Sequence, residues 1–261
     1  MNGTFLQTVT DTARARVDLL RANSDIATLQ KAAQAQRSIA EPFRLQKALR
    51  SKVINIIAEI KRASPSKGMI NADIDPAHLA AEYQAGGAAA ISVLTEEEYF
   101  KGSLEDLKVV RSKVTLPILR KDFIVDKVQI LEAAAAGADA VLLIVAAITS
   151  AELAELYRFT AELNMDALVE IHSANEMQVA AELGAAVIGI NNRNLKTLGV
   201  SLEASRELIN NRPKGALMVA ESGLSTAGDL RELRQAGFDG FLIGEALMRN
   251  SDPRGTLRTW I

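Results

Sequence analysis

Cysteine is absent from the 261 residues. That removes disulfides, thiolate metal sites and a cysteine nucleophile together. It fits a reducing compartment, and a cytoplasmic location is expected. Histidine is almost absent too. His78 and His172 are the only two, too few for a multi-histidine metal centre. No excess of positive charge exists: 30 basic residues face 32 acidic ones, for a net charge of −2. A general nucleic-acid surface needs a basic excess, so that class of partner is not expected. A small anionic ligand stays open, because a few local lysines suffice. Residues 1–7 lack a basic stretch followed by an apolar core, so no signal peptide is expected. The longest apolar stretch, residues 133–148, is short for a membrane span and contains Gly137 and Asp139. It reads as a helix end running into a strand.

What is present is an ordinary soluble composition, 48% apolar and 24% charged. The length suits one barrel of roughly 250 residues or two smaller domains. Residues 4–50 are rich in Ala, Arg, Gln and Leu. Their apolar residues fall at helical spacing, as in Phe5, Val9, Ala13, Val17 and Leu20. Two or three helices are expected there, capping a barrel or forming a small interaction surface. From Val53 onward the chain alternates. Strand-like runs at 53–60, 89–94, 117–121, 140–145, 167–171, 187–190, 217–220 and 240–243 are each followed by a helical pattern. Those patterns lie near 75–85, 103–112, 126–136, 149–163, 174–183, 201–211, 226–236 and 245–259. Eight βα units in order point to a single (β/α)8 TIM barrel over 51–261, with residues 1–50 as an N-terminal helical extension. A repeat of about 50 residues supports this. Ala85-Gly86, Ala136-Gly137, Leu183-Gly184 and Ala236-Gly237 each precede an even-numbered strand. Glycine there suits a left-handed helix cap. An open doubly wound sheet is the alternative.

The first strand carries two charges inside an apolar run, Glu59 and Lys61. Two residues apart, they share one face of a strand. Buried charges cost free energy unless paired or used, so they form either a structural ion pair or part of a site. In a barrel, chemistry gathers at the C-terminal strand ends. The other ends are charged or polar as well: Lys121, Glu170, Asn191 with Arg193, Glu221, and Glu245 after Gly244. Alternation groups Lys121 with Leu119 and Phe123, and Glu170 with Leu168 and His172. A mouth lined by lysines and glutamates is expected, in which nearby lysines lower each other's proton affinity and protons are both given and taken. Ser222-Gly223 precedes a helix capped by Ser225 or Thr226, and Gly244 opens the final helix. Backbone N–H groups at such helix starts favour a phosphate. His172 reads as a polar loop residue and His78 as a surface residue.

In these residues the chain resembles the indole-3-glycerol phosphate synthase family. The likeness covers the barrel and the preceding helices. It is carried by Ile57-Ala58-Glu59-Ile60-Lys61-Arg62-Ala63-Ser64-Pro65-Ser66, Leu94-Thr95-Glu96-Glu97-Glu98-Tyr99-Phe100-Lys101-Gly102-Ser103, Lys121-Asp122-Phe123-Ile124-Val125, Gly189-Ile190-Asn191-Asn192-Arg193 and Ala220-Glu221-Ser222-Gly223. The resemblance implies a lyase of tryptophan biosynthesis acting on 1-(2-carboxyphenylamino)-1-deoxyribulose 5-phosphate. The ring carbon bearing the carboxylate attacks the ketone, and carbon dioxide and water then leave. It also implies roles. Lys121 is the general acid for ring closure and Glu170 the acid–base partner in dehydration, with Glu59, Lys61 and Asn191 assisting. Ser64, Phe100, Phe123, Leu142, Arg193, Leu195 and Glu221 bind the substrate. Lys61, Ser222, Gly223 and Gly244 bind its phosphate. Many relatives carry serine where this chain has Glu245, which bears on the side-chain contact there rather than the backbone one. Asn194 stands where aspartate is common.

The resemblance implies no cofactor and no metal. The expected partner is a small phosphorylated molecule, with neither nucleic acid nor membrane, and a monomer is compatible with the sequence. Two rivals remain. Phosphoribosylanthranilate isomerase shares the barrel and the phosphate corner, but its family uses a cysteine base that this chain lacks. A catalytically silent barrel serving as a structural or partner subunit is the other.

Overall fold

The computed structural model describes residues 4–50, 54–65, 68–195 and 197–261. Val53 and Ser66, named above, lie outside the described residues. Eight parallel strands close into a barrel in sequence order. They are β1 (Ile56–Ile60), β2 (Ala90–Leu94), β3 (Ile118–Lys121), β4 (Ala140–Ile144), β5 (Asp166–Ile171), β6 (Val187–Asn191), β7 (Leu217–Glu221) and β8 (Gly240–Ile243). Closure pairs β1 with β8 through Ile57 and Leu242. It leaves the barrel no open edge, and the open doubly wound alternative falls away. A two-residue antiparallel hairpin, Ala63–Ser64 with Gly68–Met69, follows β1.

Side-chain alternation divides the core. Ile57, Ala90, Leu119, Leu142, Leu168, Val187, Val219 and Leu242 fill the barrel interior. The residues between them, such as Ala58, Ile91, Val141 and Ile188, face the surrounding helices. The helices in order are α1 (Phe5–Asn23), α2 (Ile26–Ile39), α3 (Arg44–Leu49), α4 (Pro76–Gly86), α5 (Leu104–Lys113), α6 (Lys127–Ala135), α7 (Ser150–Glu162), α8 (Ala174–Glu182), α9 (Glu203–Leu208), α10 (Ala227–Ala236), α11 (Glu245–Met248) and α12 (Pro253–Trp260). Their starts follow the chemistry of orphan N–H groups. Asp75, Ser103, Asp126, Thr149, Ser173 and Thr226 each accept a backbone N–H of the first turn.

Three expectations need correction. The first left-handed cap is Gly87, at φ 96°, not Gly86. Gly86 is the last helical residue, kept small by α12: a Cβ there would lie 2.9 Å from Leu257 Cδ1. Gly137, Gly184 and Gly237 do adopt positive φ. The pattern at 201–211 shortens to α9 and one 3-10 turn, Ile209–Asn211. The final pattern breaks into α11 and α12, because Pro253 starts a new helix and disfavours helical backbone at Asp252 before it.

Residues 4–50 form three helices that contact both ends of the barrel. At the N-terminal end, α3 inserts Leu45 and Leu49, both fully buried, among the interior strand residues. Its first turn has no local side-chain cap. Instead Asp166 of β5 accepts from Leu45 N at 2.8 Å, Gln46 N at 3.2 Å and Gln46 Nε2 at 2.7 Å. Helix α2 packs along α6. Helix α1 reaches the other end, where Arg16 pairs with Asp122 at 2.8 Å, just beyond β3.

Candidate active site

The barrel register sets the mouth. Ile144 pairs with Glu170, Glu170 with Gly189, and Asn191 with Glu221, so polar groups from β5, β6 and β7 arrive at adjoining levels. Lys121 reaches across from β3. Its Nζ lies 2.8 Å from Glu170 Oε2 and 2.5 Å from Glu221 Oε2. Asn191 Nδ2 donates to Glu170 Oε1 at 3.0 Å. On β1, Lys61 Nζ sits 2.5 Å from Glu59 Oε1. The Glu59–Lys61 pair is therefore both an ion pair and part of the mouth.

Two glycines make room for these charges. A Cβ on Gly189 would lie 2.0 Å from Glu221 Oε1, and one on Gly244 would lie 2.3 Å from Glu59 Oε1 and 2.9 Å from Lys61 Nζ. Glycine's lack of a side chain here serves close approach rather than a special φ. It also sets the Lys61 ammonium against Gly244, the N-cap of α11. Glu221 Oε1 is buried and has no hydrogen-bond partner among the described residues.

The electrostatics follow from three carboxylates around one ammonium. Burial works against a charged Lys121. Glu170, Glu221 and Glu59 outweigh it and raise its proton affinity above that of an ordinary lysine. Burial pushes Glu221 up to about 7, helped by repulsion from Glu170 and Glu59 and opposed by Lys121. Burial also acts on Glu170, but Lys121 and His172 overcome it and hold this carboxyl well below the usual range. The two glutamates that share Lys121 are thus driven in opposite directions, the pattern that separates a proton holder from a proton acceptor. The expected mutual depression of two lysines is not what forms. The groups acting on Lys121 are carboxylates, and they strengthen its hold on its proton.

A cavity of about 480 Å³ opens above these groups. Every residue expected to act on or bind the substrate lines it: Glu59, Lys61, Lys121, Glu170 and Asn191; Ser64, Phe100, Phe123, Leu142, Arg193, Leu195 and Glu221; and Ser222, Gly223 and Gly244. The Phe100 and Phe123 rings stand 6.3 Å apart at 42° and form an aromatic wall. The Phe100 loop is shaped from beneath by buried Glu96. Its carboxylate accepts from Glu98 N, Tyr99 N and Phe100 N at 3.0, 2.7 and 3.0 Å. At the opposite corner Ser222 and Gly223 both have positive φ, 66° and 79°, and Thr226 rather than Ser225 caps α10.

A scan against family models matches indole-3-glycerol phosphate synthase over residues 6–260. The chain belongs to the indole-3-glycerol phosphate synthase family. It is 46% identical to the indole-3-glycerol phosphate synthase of Carboxydothermus hydrogenoformans, over 95% of this chain and 96% of that one. It is 52% identical to the protein of the same name from Desulfosudis oleivorans, over 76% of this chain and 75% of that one. Among solved structures, thiamine phosphate pyrophosphorylase from Pyrococcus furiosus aligns at TM-score 0.60 and 20% identity. That alignment covers 83% of this chain and 95% of the other, a likeness of fold alone. For the family, the cysteine base of the isomerase rival is not at issue, and the silent-barrel alternative becomes a matter for assay.

Sequence reasoning missed several members of the site. Phe5 and Leu6 of α1 line the cavity, and the Phe5 ring meets Tyr99 edge-on at 5.2 Å. Their helical spacing marked an apolar face but not what it would cover. Arg249 also lines the cavity and pairs with Glu245 at 3.2 Å. The carboxylate that departs from many relatives is thereby charge-compensated, and the i, i+4 spacing was the available signal. His172 lies in the loop after β5, as expected, but is half-buried there against Glu170 and Glu176. His78 is exposed, as read from its position.

Proposed function

We infer that the chain is an indole-3-glycerol phosphate synthase of tryptophan biosynthesis, a carboxy-lyase acting on 1-(2-carboxyphenylamino)-1-deoxyribulose 5-phosphate. The observation that carries the site assignment is Lys121, held between Glu170 and Glu221 at the floor of a cavity with an aromatic wall and a glycine-rich corner. In this reading the carboxyphenyl ring lies against Phe100, Phe123, Leu142 and Leu195. Arg193 faces its carboxylate, with Ser64 and Glu221 also holding substrate. The phosphate rests on the backbone of Ser222, Gly223 and Gly244, with the Lys61 ammonium beside it.

Chemistry then follows charge. The ring carbon bearing the carboxylate attacks the ketone carbon, and Lys121 gives its proton to the ketone oxygen as the bond forms. The electrons of the bond between the ring carbon and its carboxylate return to the ring as carbon dioxide departs. Dehydration needs a proton on the hydroxyl and removal of the hydrogen on the carbon next to nitrogen. Glu170, held ionised, serves as the base, with Glu59, Lys61 and Asn191 assisting around it. Catalysis rests on acid–base groups and positioning, with no added cofactor or metal. Residues 1–50 act as the helical cover of the 51–261 barrel. Among the described residues no helix is long and apolar enough to cross a membrane, and the cytoplasm is the proposed site of action.

The test is direct. The purified chain with the carboxyphenylamino-deoxyribulose phosphate, in the presence of a chelator and without nucleotide, should give rising indole fluorescence and stoichiometric carbon dioxide. No indole product would sink the assignment and leave the silent barrel.

A further inference from the structure

His172 stands one residue past the end of β5 and belongs to neither wall of the catalytic cavity. It lines a second cavity of about 670 Å³, which shares Leu6, Asn191, Arg193 and Leu195 with the first. Glu170 lines the first cavity and not the second. The two side chains meet through the partition: His172 Nε2 lies 3.3 Å from Glu170 Oε1, an ion-pair contact rather than an aligned hydrogen bond. On the far side His172 Nδ1 lies 3.4 Å from Glu176 Oε2. That same Glu176 oxygen accepts the His172 backbone N–H at 2.8 Å. Glu176 is itself fixed by the start of α8, where Ser173 Oγ donates to Glu176 Oε1 at 3.1 Å and accepts from Glu176 N at 3.3 Å. The imidazole is therefore gripped by a rigid helix turn and presented to the back of the catalytic carboxylate. Among the described residues of the second cavity, the charged groups are Glu176 and Arg193. The neighbours from α1 and from the loop after β4 are Thr4, Leu6 and Ala146, all uncharged.

We propose that His172, clamped by Glu176, is the positioning residue of Glu170: it keeps that carboxylate aimed and ionised when Lys121 turns from it to the substrate ketone. In the free site Glu170 Oε2 is satisfied by Lys121 and Oε1 by Asn191. Ring closure draws the Lys121 proton away and removes the main cation that faces Glu170. Without a second cation, the buried carboxylate would take up a proton or swing, and would be a poor base for dehydration. The His172 imidazolium is the group left in place. Its two carboxylate neighbours outweigh burial and raise it to about 9, so it is charged at neutral pH. The proposal rests on the reading of Glu170 as the acid–base group.

The chain's two histidines make the first test independent of turnover. In an NMR titration of the imidazoles, exposed His78 is the internal reference. His172 should titrate well above it in the wild type, and Glu176→Gln and Glu170→Gln should each lower the His172 midpoint by roughly one pH unit. A His172 that titrates together with His78, or that ignores Glu170→Gln, overturns the contact. The second test is kinetic. His172→Gln should lower kcat about tenfold with KM changed less than twofold. It should also move the acidic limb of the kcat profile upward in pH, because loss of the cation raises the Glu170 midpoint. Glu176→Gln, which leaves the ring in place, should move the alkaline limb downward. A His172→Gln enzyme with an unmoved acidic limb, or one whose kcat falls equally at every pH, assigns the ring a purely structural part and overturns the proposal. A wild type that makes no indole but shows the coupled titration overturns the functional reading and leaves the clamp standing.

Discussion

The two ends of the barrel carry buried charge clusters of opposite balance. At the N-terminal end Asp139, 1% exposed, is met by three guanidiniums. Arg37 lies at 3.5 Å, Arg44 at 2.9 Å and Arg111 at 3.0 Å, and the carboxylate also accepts Ile118 N at 3.0 Å. At the C-terminal end one ammonium, Lys121, is surrounded by Glu170, Glu221 and, further off, Glu59. In the first cluster three cations share one carboxylate, and they come from α2, α3 and α5. Such a knot ties the extension to the barrel and offers a ligand nothing. In the second cluster the carboxylates that face Lys121 outnumber it, so among the described residues Glu221 keeps one oxygen without a hydrogen-bond partner, and its proton affinity lies near neutrality. Excess donor capacity makes a fastening, and excess acceptor capacity beside a cavity makes a place where protons move.

This contrast can be broken from either side. The largest effect is expected at Lys121→Ala, which should reduce indole formation on the order of 10³-fold or more while the chain stays folded. A variant of undiminished kcat would remove Lys121 from the chemistry. Next comes Asp139→Asn. Taking the charge from among three guanidiniums, of which Arg37 is buried, should cost roughly 3 kcal/mol in urea unfolding and leave kcat of the folded enzyme within about twofold. Unchanged stability, or a collapse of kcat at full stability, would show that the two ends do not divide structure from chemistry in this way.

The smallest effect concerns Glu221. Its proton is held more tightly in the folded chain than in the unfolded one. Its contribution to stability is therefore complete below its ordinary value of 4.5 and is lost as pH rises through about 7. Glu221→Gln cannot ionise. From pH 5 to pH 8 the variant should gain about 2 kcal/mol relative to the wild type, read from paired urea midpoints. A difference that stays flat across that window would mean that the carboxylate is not strained by its surroundings.

The legible part of the molecule was whatever depends on local order. Alternation at 166–171 placed Leu168 and Glu170 on one face, and the barrel interior receives both. Glycine before the even strands marked the helix ends, with a one-residue error at Gly86, where two adjacent glycines hid which one turns left-handed. The site residues were reachable because a parallel barrel sends the C-terminal ends of all its strands to one rim. What stayed hidden depends on packing between distant segments. Nothing in residues 4–50 says that Phe5 will meet Tyr99, that Leu49 will press against Gly240, or that Arg37 and Arg44 will share Asp139 with Arg111. The partners of His172 stayed hidden for the same reason: it lies in the loop after β5, and only the start of α8 shows what grips it.

By itself the sequence determined eight βα units, the rim on which chemistry gathers, and which charged residues reach it, because side-chain direction in a strand follows from period alone. Only the tertiary structure decided how those charges divide their protons. Which of Glu170 and Glu221 stays ionised depends on how many cations reach each one through a low-dielectric interior, and those cations come from β3 and from the loop after β5.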